Sequence, residues 1–114
     1  MKTKELTHII IDILEEKKGE DIVLLDISEV ADFADYFIIC SGTSSRMVSS
    51  LADSVTNVMR KQHKLKMKVE GNPSGGWQVL DYGDVIVHVF SPEQREYYQL
   101  ENLWSAGKTL LRLH

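Results

Sequence analysis

DYFIICSGTSS, residues 35–45, joins an aromatic and β-branched run to a turn of serine, glycine and threonine. Tyr36 to Cys40 are apolar without a polar alternation, which predicts a strand buried on both faces. Behind it, Met47, Val48, Leu51, Ala52, Val55, Val58 and Met59 recur at the spacing of one helical face. They predict a helix reaching about residue 62, with Thr43 or Ser44 as its N-cap. A buried strand feeding a long amphipathic helix is the unit from which α/β sheets are built.

Upstream, Leu6, Ile9, Ile10, Ile13 and Leu14 share a face of a helix over 4–18 that stops at Gly19. Ile22 to Ile27 predict a second buried strand, linked to the first by residues 28–34. Downstream, Leu65, Met67 and Val69 alternate with Lys64, Lys66 and Lys68, so 63–70 reads as a half-buried strand. A glycine-rich loop, 71–76, precedes a hairpin of strands 77–80 and 85–90. Ser91-Pro92-Glu93-Gln94 supplies the N-cap, N1 proline and capping-box glutamine of a helix through Trp104. Its core stripe is expected to be Tyr97, Leu100, Leu103 and Trp104, with Tyr98 exposed. Residues 105–114 are expected as a peripheral tail, helical from Ala106. The order α-β-β-α-β-β-β-α predicts an α/β fold: a mixed sheet of about five strands flanked by helices, the last three strands antiparallel, in a single domain over 1–114.

The length of 114 residues suits one core and leaves no room for two domains with a cleft between them. No apolar run approaches the roughly 18–20 residues that cross a bilayer, and the charged N-terminus does not resemble an export signal, so no membrane contact and a cytoplasmic location are expected. The single cysteine, Cys40, lies inside the buried run and reads as a core residue. The formal net charge is −4, yet all five Lys/Arg of residues 60–68 stand together without an acid. An acidic surface favours basic partners over phosphate backbones, and little or no direct nucleic-acid contact is expected. RNA binding through Arg60 to Lys68 remains an alternative, although no aromatic residues interleave there to stack bases.

The Ser41–Ser45 turn has the composition of a phosphate-binding loop, but the glycine spacing of the nucleotide-binding motifs is absent and an ordinary helix cap needs the same residues. The stretch also resembles the Gly-Ser signature of nucleotidyltransferases. Those enzymes need a following strand with two carboxylates one residue apart to hold magnesium, and none follows here. An enzyme of that kind, acting on RNA or a nucleotide, is therefore the second reading and not the first. LDYGDVIVHVF, residues 80–90, looks like an Asp/Asp/His cluster. Read as a hairpin with Tyr82 and Gly83 as the loop, it sets Asp81 against Asp84 and Trp77 against His88. Asp84 and His88 then lie about 13 Å apart along one strand, whereas metal ligands stand at about 2 Å from the ion. No metal and no cofactor are expected. Trp77, Tyr98, Asp81, Asp84 and Glu101 instead suggest an aromatic and acidic patch suited to a basic protein.

Asp35-Tyr36-Phe37-Ile38-Ile39, Ser41-Gly42-Thr43-Ser44, Glu70-Gly71, Gly76-Trp77, Leu80 to Phe90, Arg95-Glu96-Tyr97-Tyr98 and Leu100-Glu101-Asn102-Leu103-Trp104 stand in series. Together they resemble the ribosomal silencing factor family, RsfS, also called Iojap-like, over nearly all of residues 5–104. The resemblance implies a non-catalytic factor that binds the large ribosomal subunit through protein uL14, blocks joining of the small subunit and represses translation. It also implies a fold similar to nucleotidyltransferases without their catalytic carboxylates, and brings in the homodimer as a state seen in the family. By position, Trp77, Asp81, Tyr82, Asp84, Tyr98 and Glu101 carry over as the uL14-facing surface. The tail after Trp104 matches no family pattern.

Overall fold

The computed structural model describes residues 2–113; Met1 and His114, the ends of the expected 1–114 domain, lie outside the described residues. The elements are α1 (Thr3–Glu16), β1 (Glu20–Asp26), β2 (Tyr36–Ser41), α2 (Ser45–His63), β3 (Lys68–Asn72), a 3-10 turn (Pro73–Gly75), β4 (Trp77–Asp81), β5 (Val85–Phe90), α3 (Pro92–Tyr98), α4 (Leu100–Leu103) and β6 (Lys108–Leu113). They form one six-stranded sheet in the order β3-β4-β5-β2-β1-β6. Strands β2 and β5 pair in parallel, and every other pairing is antiparallel. The mixed α/β architecture and the antiparallel β3-β4-β5 segment are as the sequence predicts.

Side chains of a strand alternate between faces, and both faces of the central strands are covered. Leu24, Ile38, Cys40, Val85, Val87 and Val89 pack beneath α1 and α2, against Ile10, Leu14, Leu51 and Val55. Val23, Leu25, Phe37, Ile39 and Phe90 lie on the opposite face with Ala34 and Leu100. Two-sided burial is why Tyr36–Cys40 shows no polar alternation. Cys40 is fully buried, and desolvation pushes its thiol up to about 12, which leaves an inert core residue.

Four local expectations are corrected. First, residues 64–67 are not strand. Helix α2 ends with Lys64 in the left-handed region at φ 58° and the Leu65 N–H donating back to the Met59 carbonyl at 3.0 Å. The chain then crosses to β3 while Leu65 and Met67 still rest on the core, so the alternation was real but only its end pairs in the sheet.

Second, the last helix is broken. Gln99 adopts φ 50°, separating α3 from α4 and turning the chain beyond it. Leu100 is buried, but Tyr97 is 77% and Leu103 71% exposed, so the stripe of one continuous helix does not form. Tyr98 is exposed, as expected.

Third, the tail is a strand and not a helix. Strand β6 pairs antiparallel with β1, Leu24 opposite Leu111, and makes the sheet six-stranded. It covers what would be an open sheet edge, and Leu111 and Leu113 reach the helix-side core.

Fourth, the hairpin loop is Gly83-Asp84, not Tyr82-Gly83. The Tyr82 N–H donates to the Val85 carbonyl at 2.9 Å, and Asp81 pairs with Ile86, Val79 with His88 and Trp77 with Phe90. Gly83, at φ 88°, takes the first central position of a type II′ turn, where a positive φ is required. Asp81 therefore does not face Asp84 across the ladder, nor Trp77 His88. The shift moves each partner by two places and leaves the face of every residue unchanged.

Candidate functional site

The face opposite α1 and α2 is covered only in part. Residues 28–34 and the short α3–α4 segment pack over β1, β2 and β5 and reach β4 only at its start, where Tyr98 meets Trp77, leaving the rest of β4 and β3 uncovered. The uncovered corner is a groove of about 410 Å³ whose apolar lining is Phe33, Phe37, Trp77, Val79 and Ile86. Glu70, Gly71 and Asp81 form its rim toward β3, and His88 completes it. Gly71 is at φ 75°, and a Cβ there would run into the Trp77 carbonyl, so the backbone of β3 approaches β4 as only glycine permits.

Trp77 is the hub. Its ring packs against Tyr98 at 4.5 Å between centroids and stacks on Phe90 at 4.9 Å. Its indole N–H donates to His88 Nδ1 at 3.2 Å. His88 is 6% exposed, and burial lowers its pKa to about 4, so the ring is neutral at ordinary pH. Phe37 meets it edge-on at 4.6 Å.

Of the six residues singled out from the sequence, three come together: Trp77 and Asp81, which share a face of β4, and Tyr98 against Trp77. Tyr82 lies on the other face of the sheet, half-buried beside the α1–α2 core. Its hydroxyl has no hydrogen-bond partner among the described residues, and burial pushes it up to about 12. Asp84 stands at the hairpin tip and accepts a long bond from the Thr3 hydroxyl at 3.5 Å. Glu101 is held in a separate network: it pairs with Arg95 at 3.2 Å and with Arg112 at 3.8 Å, and both arginines also pair with Asp21.

Arg95 is a residue whose role the sequence did not show. It is 8% exposed, and besides its ion pairs donates to the Asp21 carbonyl at 2.6 Å and to Ser41 Oγ at 2.9 Å. The Ser41–Ser45 turn is thus occupied by local structure. Ser41 takes a bond from Arg95, and Ser44 caps α2 by accepting from the Met47 N–H at 3.2 Å. Phe33, Phe37 and Glu70 also belong to the groove without having been singled out, and His88, weighed only as a metal ligand, joins them. Alternation along β5 places His88 on the face of Trp77 and was a usable signal; nothing in residues 28–34 announces that Phe33 folds over.

Fold and groove define a small α/β domain with one helix-covered sheet face and, on the other, an aromatic recess edged by carboxylates. The family described as "ribosomal silencing factor during starvation", RsfS, matches residues 1–112, and the chain belongs to it. It is 38% identical over 108 residues to ribosomal silencing factor RsfS of Chromobacterium violaceum, covering 95% of this chain and 88% of that one. It is 34% identical over 110 residues to RsfS of Halalkalibacterium halodurans, covering 96% and 94%. A mouse protein named mitochondrial assembly of ribosomal large subunit protein 1 is 31% identical across 85% of this chain and 44% of its own. A crystal structure from Chromobacterium violaceum superposes with a TM-score of 0.86 at 40% identity, covering 92% of this chain and 88% of that one. Another, from Bacillus halodurans, superposes with a TM-score of 0.82 at 33% identity, covering 96% and 99%.

Proposed function

We propose that this chain is a cytoplasmic ribosomal silencing factor that docks on protein uL14 of the large subunit through the face carrying Trp77. Seated there it covers part of the surface at which the small subunit joins, and so represses translation without catalysing a reaction. The observation that carries the reading is Trp77 itself, half-buried between Tyr98 and His88 and opening into a groove edged by Glu70 and Asp81. A large, already positioned aromatic ring beside a desolvated pocket is the anchor that dominates binding energy at protein interfaces. The two carboxylates favour a basic partner and speed its encounter, and the acidic net charge of −4 acts in the same sense. The name of the mouse relative, which refers to the large subunit, supports the choice of subunit.

Trp77, Asp81 and Tyr98 form the centre of the proposed surface. Asp84 adds to the negative field from its surroundings, Glu101 is neutralised by Arg95 and Arg112 and serves to hold α4 in place, and Tyr82 supports β4 from behind. Silencing then obeys mass action: occupancy depends on free factor relative to its Kd, and dissociation restores joining.

Cosedimentation with purified ribosomal subunits tests the proposal. Comigration with the large subunit, weakening as salt rises, is expected; comigration with the small subunit only, or with neither, overturns it. Retained binding by Trp77→Ala with Tyr98→Ala, together with loss on neutralising Lys64, Lys66 and Lys68, would instead establish RNA contact through the exposed basic stretch.

A further inference from the structure

Phe33 is 55% exposed, yet its ring is held in place. It meets Trp104 edge-on at 5.6 Å between centroids and Phe37 at 6.0 Å. The loop that carries it is closed at its base, where the Ile27 N–H donates to the Asp35 carbonyl at 2.9 Å, and is turned by the Val30 and Ala31 N–H groups donating to the Ile27 carbonyl. An apolar ring already fixed at the surface loses little freedom when a partner covers it. Phe33 packs on Phe37 of β2, and Trp77 belongs to β4, with β5 between those strands. Neighbouring strands lie about 4.8 Å apart, so the two rings bound a trough roughly 10 Å across. One aliphatic side chain spans that width, touching both walls at about 4 Å. The floor, Val79 and Ile86 with Phe37, offers no polar side-chain atom to an occupant, because His88 Nδ1 is taken by Trp77 and its Nε2 is shut off from solvent. A polar side chain seated there would leave water without finding a partner, whereas an apolar one would bury both walls.

Resting on the docking reading above, we propose that Phe33 and Trp77 form a clamp for one aliphatic side chain of the large-subunit protein, a leucine, isoleucine or methionine flanked by basic residues, with Phe33 as its specificity-determining wall. The rim sets the flanking chemistry. Glu70 and Asp81 edge the trough, and Lys68, opposite Asp81 in the ladder, offsets only one of them, so basic residues are favoured beside the seated side chain. The same balance disfavours a phosphate backbone, whose bases could otherwise stack on the two rings.

The test compares binding of the full chain and its variants to purified large ribosomal subunits, with foldedness checked by near-ultraviolet circular dichroism. Phe33→Ala removes one wall and should weaken binding about tenfold. Phe33→Leu keeps an apolar wall and should bind within about threefold of the parent. Phe33→Gln has the reach but not the apolar surface, and should lose as much as Phe33→Ala; parent-like binding by it overturns the apolar seat. Unchanged binding by Phe33→Ala while Trp77→Ala loses affinity overturns the clamp and leaves the docking reading intact. Unchanged binding in both Trp77→Ala and Phe33→Ala removes the docking reading, and the clamp with it. Independently of any variant, methyl spectra of the parent chain should show the Val79 and Ile86 resonances shifting when purified uL14 is added; shifts confined to the rim would contradict the seat. A single-stranded RNA oligonucleotide that moves the same methyl resonances, or a dimer in sedimentation equilibrium that Phe33→Ala dissociates, would assign the trough to another occupant and overturn the proposal.

Discussion

Tyr98 packs against Trp77 with ring centroids 4.5 Å apart, joining the end of α3 to the start of β4 at the mouth of the groove. Tyr98 is still 41% exposed, so its contact with Trp77 orders the surface more than it builds the core. Tyr98→Ala should therefore leave the denaturation midpoint close to the parent, whereas Trp77→Ala, which also removes a hydrogen bond to His88, should lower stability by about 2 kcal/mol. A double-mutant cycle read in affinity for the large subunit should give a coupling of about 0.5–1.5 kcal/mol. Additive losses would show that the two rings act separately.

His88 makes stability depend on pH in a defined window. Its folded pKa, about 4, lies below the ordinary histidine value because burial penalises the charged ring. Between about pH 6.5 and pH 4 the unfolded chain binds a proton that the folded chain does not. The contribution of His88 is thus fully present above pH 6.5 and lost as pH falls to about 4, by up to about 3 kcal/mol. Urea denaturation across this range should show the slope, and His88→Gln should flatten it. Asp26 acts lower on the scale: hydrogen bonds from Ser28 hold its carboxyl below the usual value, so its contribution goes only as pH falls below about 3.8.

Arg95 and Arg112 reach the same two carboxylates from different depths. Arg95 is buried, with Asp21, Glu101, Ser41 and a backbone carbonyl around it. Arg95→Ala should cost about 2–4 kcal/mol, since it takes the donor away from Ser41 Oγ and the Asp21 carbonyl in a partly dry network and leaves the two carboxylates one arginine fewer. Arg112, whose side chain is 43% exposed, pairs with Asp21 at 3.1 Å, and Arg112→Ala should cost under about 1 kcal/mol. Equal effects in thermal denaturation would contradict this ordering.

Strand β6 should be needed for a well-behaved chain. Truncation after Ala106 removes the pairing with β1 and uncovers the core contacts of Leu111 and Leu113. A loss of about 2 kcal/mol or more is expected, with concentration-dependent aggregation in light scattering as the edge of β1 opens.

Much of this architecture could be read from local pattern. The two-faced burial of β1 and β2, the amphipathic α1 and α2, and the cap at Ser44 each arise from residues within a few positions of one another. What the sequence hid depends on single backbone torsions or on distant contacts. Lys64 and Gln99 adopt left-handed conformations without being glycine, so neither the turn before β3 nor the break between α3 and α4 carries its usual marker. Strand β6 exists because β1 has a free edge, a fact about residues some 90 positions away. The site divides in the same way. Trp77 and Asp81 of the hairpin and Tyr98 of the last helix were visible as aromatic and acidic residues, while Tyr82, carried over by position from the resemblance, and Glu101, taken as a free acid of the last helix, were grouped with them against the alternation of β4 and the Arg95 network.

Steric exclusion of one ribosomal subunit by a factor anchored through Trp77 is tested most directly by mixing purified large and small subunits with increasing amounts of the chain. Joined ribosomes are then measured by sucrose-gradient sedimentation. They should fall as the chain saturates the large subunit, and Trp77→Ala should shift the curve to at least about tenfold higher concentration. Undiminished joining at concentrations where the large subunit is fully bound would contradict steric exclusion.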